Sequence, residues 1–267
     1  MVLVQIAVII NYSFQLVWII LQLIVAIFLS IKMIKTKRYN LLPLILFFLL
    51  NSFRIIFFLL SSLLIVYLVI IQFGNVLLVI FVKLTFFKGR KSPFTFFLIG
   101  LIVVRIFDLF IRLNFQISIP MTFVLDESNL IFYYYILFSI TYSFLISHFW
   151  LGYVALKYYN SIKSANIEPW IKKRYQIIGL GSLIYGLSIF IYYLIPYNVT
   201  GTFSFPNIIY TYTILVFTLY YSLSMFIAWI MPNWLKKRFN KGFKLIKDEE
   251  YSENELLDLI QQQLQEN

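Results

Sequence analysis

Four charged residues lie deep within apolar runs, Arg54, Arg105, Asp108 and Arg112, while Lys83 lies near the inner end of one. At 100° per residue Arg105, Asp108 and Arg112 fall within about 60° of one helix face, with Arg105 and Asp108 spaced i,i+3 and Asp108 and Arg112 spaced i,i+4. A charge at the centre of a membrane helix costs about 2.5–3.5 kcal/mol on insertion scales, so such residues turn toward protein and pair. Here three guanidinium groups share one carboxylate. The excess positive charge must be met by water, carbonyls, tyrosine hydroxyls or an anionic ligand. The expected chemistry is therefore non-covalent: an outward-facing site for a polar or anionic ligand at Arg54, Arg105, Asp108 and Arg112. A plainer role fits the same residues, a clamp between helices with Arg112 reaching for the outer interface.

Reactive constellations are missing. The single histidine, His148, makes a cluster of several His ligands impossible, and there is no Cys for thiolate chemistry, disulfides or Cys-ligated metals. Asp108 is the only carboxylate within the apolar runs, which excludes a two-aspartate intramembrane protease. Gly179-Leu180-Gly181-Ser182 has the wrong order for a rhomboid-type nucleophile, and no His in the last apolar run serves as its base. Residues 207–231 contain no Lys for a retinal Schiff base, and no Walker A pattern or acidic metal-binding run occurs. No enzymatic activity, cofactor or metal is expected.

The elements that position the charges are read from hydropathy. Hydrophobic residues make up 61% and charged residues 12%, with a mean hydropathy of +0.87, against about 45–50% and about 25% in soluble domains. So apolar a chain needs the bilayer as solvent for its outer faces. The expected fold is an all-α polytopic membrane protein with seven spans, at about 5–31, 41–60, 63–87, 94–113, 129–156, 175–195 and 207–231. The run 41–87 has almost no polar break, and a turn at Ser61-Ser62 divides it into two spans of adequate length. The first run is read as a span and not as a cleaved signal peptide.

Charge sets the orientation. Eighteen of the 22 Lys and Arg residues lie in four patches, Lys32–Arg38, Lys88–Lys91, Lys157–Arg174 and Lys236–Lys247. The segments 1–4, 61–62, 114–128 and 197–207, which fall opposite, have none. Basic flanks stay cytoplasmic, so the N-terminus is expected outside and the C-terminus inside. The net charge of +11 is thus a topology signal, not one for nucleic acid. None of the seven prolines falls in an expected span interior. Pro120 and Pro169 fall in expected loops, and the spans read as straight, which counts against transporters built on discontinuous helices. Asn198-Val199-Thr200 is a glycosylation pattern on the expected outside, at Asn198.

Weaker polar series accompany the charges: Asn11, Gln15, Trp18 and Gln22; Tyr134, Thr141 and His148; Tyr210, Thr213, Tyr221 and Ser224. Each shares a helix face. Their plain role is interhelical hydrogen bonding, worth about 0.6 kcal/mol per contact, and together they could line a polar cavity. Gly179, Gly181, Ser182 and Gly186 allow close helix approach.

The chain then divides into a transmembrane domain (1–231), a basic amphipathic interfacial helix (232–247) and an acidic amphipathic tail (248–267). Trp234, Leu235, Phe239, Phe243 and Ile246 interleave with basic residues. Lys236, Lys237, Arg238, Lys241 and Lys244 are expected to meet anionic inner-leaflet lipids. The seven spans and the exit Pro232-Asn233-Trp234-Leu235-Lys236-Lys237 resemble the seven-helix membrane input modules of prokaryotic sensor proteins. That resemblance implies a receptor-like or sensory protein of the cell membrane, passing its signal through the tail to a cytoplasmic partner. The alternatives are a small transporter or channel and a structural subunit of a membrane complex.

Overall fold

The computed structural model describes residues 2–59, 64–89, 91–114, 130–164, 167–194 and 205–243. The side chains of 2–9, 11, 54–59, 64, 65, 67, 68, 71, 72 and 205–211 lie outside the description. The chain is an all-α, multi-pass integral membrane protein. Its helices are α1 (Val2–Thr36), α2 (Leu42–Leu59), α3 (Leu64–Phe86), α4 (Phe94–Asn114), α5 (Leu130–Phe144), α6 (Trp150–Ile162), α7 (Pro169–Ser188), α8 (Phe205–Ile230) and α9 (Asn233–Phe239). A π turn, Leu145–Phe149, joins α5 to α6, and a 3-10 segment, Ile189–Leu194, extends α7. α1 to α5 pack in chain order, as do α6 to α8, α9 packs on α7, and α8 closes the ring on α1.

Among the described residues five helical stretches are long and apolar enough to cross a membrane: Tyr12–Thr36, Phe94–Asn114, Leu130–Ile162, Pro169–Leu194 and Tyr212–Ile230. This corrects the expected seven spans to five. It also removes the resemblance to seven-helix input modules, which depended on that count. Within α2 and α3 the described apolar stretches, Tyr39–Phe53 and Phe73–Phe86, are shorter. Their apolar residues serve the protein interior instead. Leu44, Ile45, Phe47, Phe48, Leu78, Val79, Phe81 and Val82 are all buried in the main core. Hydropathy measures how greasy a segment is, not whether lipid or protein covers it. Because α2 and α3 are consecutive, subtracting both leaves the basic patches at Lys32–Arg38 and Lys88–Lys91 on one face.

Two further expectations change. Pro169 begins α7, with its missing N–H at a helix start where it costs little, and does not sit in a loop. The helices are also not all regular. In the π turn the Trp150 N–H donates to the Leu145 carbonyl five residues back. Gly186 on α7 permits that irregularity to be packed closely. A Cβ there would lie 2.9 Å from the Phe149 backbone nitrogen, nearer than any side chain tolerates. Gly152 does the same for α6, where a Cβ would lie 2.7 Å from the Leu183 nitrogen.

The corner between α8 and α9 is tied to α7. Arg174 donates from Nε to the Ala228 carbonyl at 3.1 Å, and its guanidinium lies over Trp170 at 5.1 Å and Trp229 at 5.6 Å. Lys236 stacks on Trp170 at 4.6 Å, and the Trp170 backbone N–H donates to Asn240 Oδ1. The expected interfacial helix over 232–247 is described as a helix over Asn233–Phe239. Residues 244–267 lie outside the described residues.

Candidate functional site: a polar cavity within the helix ring

α4 is built inside out. Its lipid-side positions are apolar and exposed, including Ile99, Val103, Ile106, Phe107 and Phe110. Its buried residues are Leu101, Arg105, Asp108, Ile111 and Arg112. The three charges on one face are therefore the face turned to the protein. Arg105 Nη1 donates to Asp108 Oδ2 at 3.3 Å and to Ser139 Oγ on α5 at 3.4 Å. Arg112 Nε donates to both oxygens of Asp108, at 3.3 and 3.2 Å. All three are almost completely buried. Two cations against one carboxylate leave this cluster a formal charge of +1.

Arg105 and Arg112 line a cavity of about 190 Å³ enclosed by residues from α1, α2, α3, α4, α5, α7, α8 and the π turn. Each wall adds a polar group: Trp18 and Gln22 from α1, Asn51 from α2, Asn75 from α3, Ser188 from α7, and Thr218 and Tyr221 from α8. Gln22 is held by its Nε2, which donates to Ser222 Oγ at 2.7 Å. Ser222 in turn donates to the Thr218 carbonyl. That fixes the amide and leaves Gln22 Oε1 buried with no hydrogen-bond partner among the described residues.

His148, in the π turn, forms the aromatic wall. Its ring centroid lies 4.8 Å from Tyr185 and 4.9 Å from Tyr221, both edge-on. Phe144 is at 5.1 Å and Phe47 at 5.8 Å. Tyr185 and Tyr221 stack at 4.7 Å with 15° between their planes. His148 Nδ1 and the Tyr221 hydroxyl are also buried without a hydrogen-bond partner among the described residues. Three elements thus bring to one cavity residues that each carry an unmatched polar atom. Among the described residues no group of three or more His, Cys, Asp or Glu could hold a metal. Binding and orienting a polar molecule is what these groups can do chemically.

The expected site residues divide accordingly. Arg105, Asp108 and Arg112 come together. Arg54 lies on α2, with its side chain outside the described residues, and Asn198 lies outside them too. Trp18, Gln22, His148 and Tyr221 meet at the cavity from their separate series. Tyr134 is half exposed and leaves the series it shared with His148. Thr141 donates to the Leu137 carbonyl one turn back. Asn51, Asn75, Tyr185, Ser188 and Thr218 are cavity residues that the sequence reading overlooked. Asn51 and Asn75 carried a usable signal, an amide within an apolar run. Gly179, Gly181 and Gly186 are packing positions, as expected, with Leu156, Ser224 and Phe149 against them.

No family model, curated protein or solved structure matches the chain.

Proposed function

We propose that the chain is a receptor-like protein of the cell membrane that binds a small polar or anionic ligand in the central cavity beside Arg105 and Arg112. One observation carries this reading. Gln22, His148 and Tyr221, from three elements, line the cavity that the two arginines line, and each carries a buried polar atom without a hydrogen-bond partner among the described residues. Leaving a buried polar group unmet costs about 1–3 kcal/mol. A ligand that meets several of them recovers that cost on binding. The volume, about 190 Å³, compares with the roughly 150 Å³ in which an apolar cavity holds benzene, so a ligand of about one ring in size fits.

The receptor reading draws on α8. It contributes Thr218 and Tyr221 to the cavity and leads through Met231 and Pro232 into α9. A ligand that shifts α8 would move the basic exit at Lys236, Lys237, Arg238 and Lys241 against anionic lipid and present the tail to a cytoplasmic partner. Transport is the second reading, supported by the π turn that interrupts the helical run from α5 to α6 at the cavity. Irregular backbone at such depth is characteristic of substrate paths.

Gly74 supplies the test. It lines the cavity, and a Cβ added there meets no atom within 4 Å. Gly74→Leu therefore narrows the cavity and favours the helix, since Gly is about 1 kcal/mol worse than Ala in a helix interior. A panel of small carboxylates, sulfonates, phosphates and neutral analogues is screened by thermal unfolding of the purified chain. At least one anion should stabilise the parent and not Gly74→Leu. If no anion does so, or both proteins respond alike, the cavity is not a ligand site. Flux of that anion into proteoliposomes would favour transport over reception.

A further inference from the structure

We propose that the ligand of the central cavity is an aromatic acid, a carboxylate carried by a single aromatic ring. This rests on the cavity reading proposed above and adds the class of molecule. Five rings from five elements line the cavity: Phe47 on α2, Phe144 on α5, His148 in the π turn, Tyr185 on α7 and Tyr221 on α8. They form one connected group. Phe144 lies 5.1 Å from His148 and 5.2 Å from Tyr185. His148 makes edge contacts with Tyr185, Tyr221 and Phe47 at 4.8, 4.9 and 5.8 Å. Tyr185 and Tyr221 stack on each other.

Rings that pack together commonly close a core. These wall a space of about 190 Å³ instead. An aromatic ring is negative on its faces and positive at its edge, so rings attract further rings in offset-stacked or edge-to-face contact. A saturated chain or ring fills the same space without that attraction. The wall also depends on a built irregularity. The π turn Leu145–Phe149 brings His148 into the group, and Gly186 makes room for that turn, since a Cβ there would lie 2.9 Å from the Phe149 nitrogen. Such single π turns within α-helices recur at functional sites.

Charge and rings occupy different levels of the cavity. Arg105 Nη1 donates to Ser139 Oγ on α5 at 3.4 Å. Phe144 lies five residues further along the same helix, about 7.5 Å along its axis. Arg105 and Arg112 both line the cavity and both hold Asp108. A guanidinium has five N–H donors, so each can serve Asp108 and a ligand carboxylate together. A molecule with its charge at one end and its ring at the other matches that separation. An apolar cavity of roughly 150 Å³ holds benzene, and the larger volume here adds room for a carboxylate group.

The full chain, purified in neutral detergent, is titrated with phenylacetate, cyclohexylacetate, hexanoate and phenylacetamide. Binding is followed by calorimetry and by the unfolding midpoint. Phenylacetate should bind most tightly, with an advantage of about twofold to tenfold over the two saturated acids, the range of one aromatic pairing. Phe144→Leu removes one ring of the wall and should reduce that advantage. Phe138→Leu removes an exposed ring of the same helix that is not among the residues lining the cavity, and should leave the advantage unchanged. Should Phe144→Leu not fold, the ligand series on the parent chain decides alone. Saturated acids that bind as tightly as phenylacetate, and are lost in Gly74→Leu, keep the cavity reading and overturn the aromatic class. Equal binding of phenylacetamide overturns the acid. Equal losses in Phe144→Leu and Phe138→Leu overturn the ring wall. Binding of none of the four overturns the aromatic acid, and the cavity reading then stands or falls by the wider anion panel.

Discussion

Arg112 Nε lies 3.2 Å from Asp108 Oδ2, one helical turn away, and the same oxygen lies 3.3 Å from Arg105 Nη1. One carboxylate therefore holds two cations within a single helix. All three are almost completely buried, and both arginines also line the central cavity.

Asp108→Asn should be strongly destabilising. Removing one partner of a buried ion pair typically costs about 3–5 kcal/mol, because the charges left behind stay buried and uncompensated. Thermal unfolding in detergent measures this, and Asp108→Glu should restore part of the loss. An unchanged midpoint in Asp108→Asn would show that other groups already compensate the arginines.

His148→Phe should behave in the opposite way. His148 sits among four aromatic rings, and its Nδ1 finds no acceptor or donor among the described residues. Replacing a buried unsatisfied polar group by an apolar one of similar shape is neutral or stabilising. The variant should unfold at or above the parent midpoint and lose its response to the anion found with Gly74→Leu. A clearly lower midpoint would mean that the imidazole holds a structural bond.

Labelling tests the span across α7. The chain has no Cys, so single substitutions report without competition. Lys163 precedes α7, Leu194 ends the 3-10 segment at its far end, and both are exposed. Lys163→Cys and Leu194→Cys should react with an impermeant thiol reagent from opposite sides of sealed vesicles. Lys88→Cys should react from the side of Lys163→Cys. Reaction of Lys163→Cys and Leu194→Cys from the same side would remove α7 from the membrane.

What the sequence disclosed follows from which forces act locally. The face formed by Arg105, Asp108 and Arg112 was legible because helix geometry alone brings residues three and four apart together. The all-α membrane class was legible because composition decides the solvent. The span count was not, because Phe48 and Leu78 are as greasy as lipid-facing residues yet lie in the protein core. The cavity was legible only in pieces. Gln22, His148 and Tyr221 each stood in a polar series, but their meeting depends on how the ring closes between α1 and α8. The π turn left no sequence signal, since no Pro or Gly lies within Leu145–Phe149. Its room comes from Gly186, on another helix.

The pairing within α4 also bears on biosynthesis. Both ionic partners of Asp108 among the described residues come from its own helix, so they are in place once α4 winds, before α5 has been made. The segment can reach the lipid with two of its three charges already neutralising each other, and with its apolar side chains turned outward. The remaining cation gains Ser139 only when α5 arrives. Assembly of the ring is thus ordered by chemistry internal to one segment.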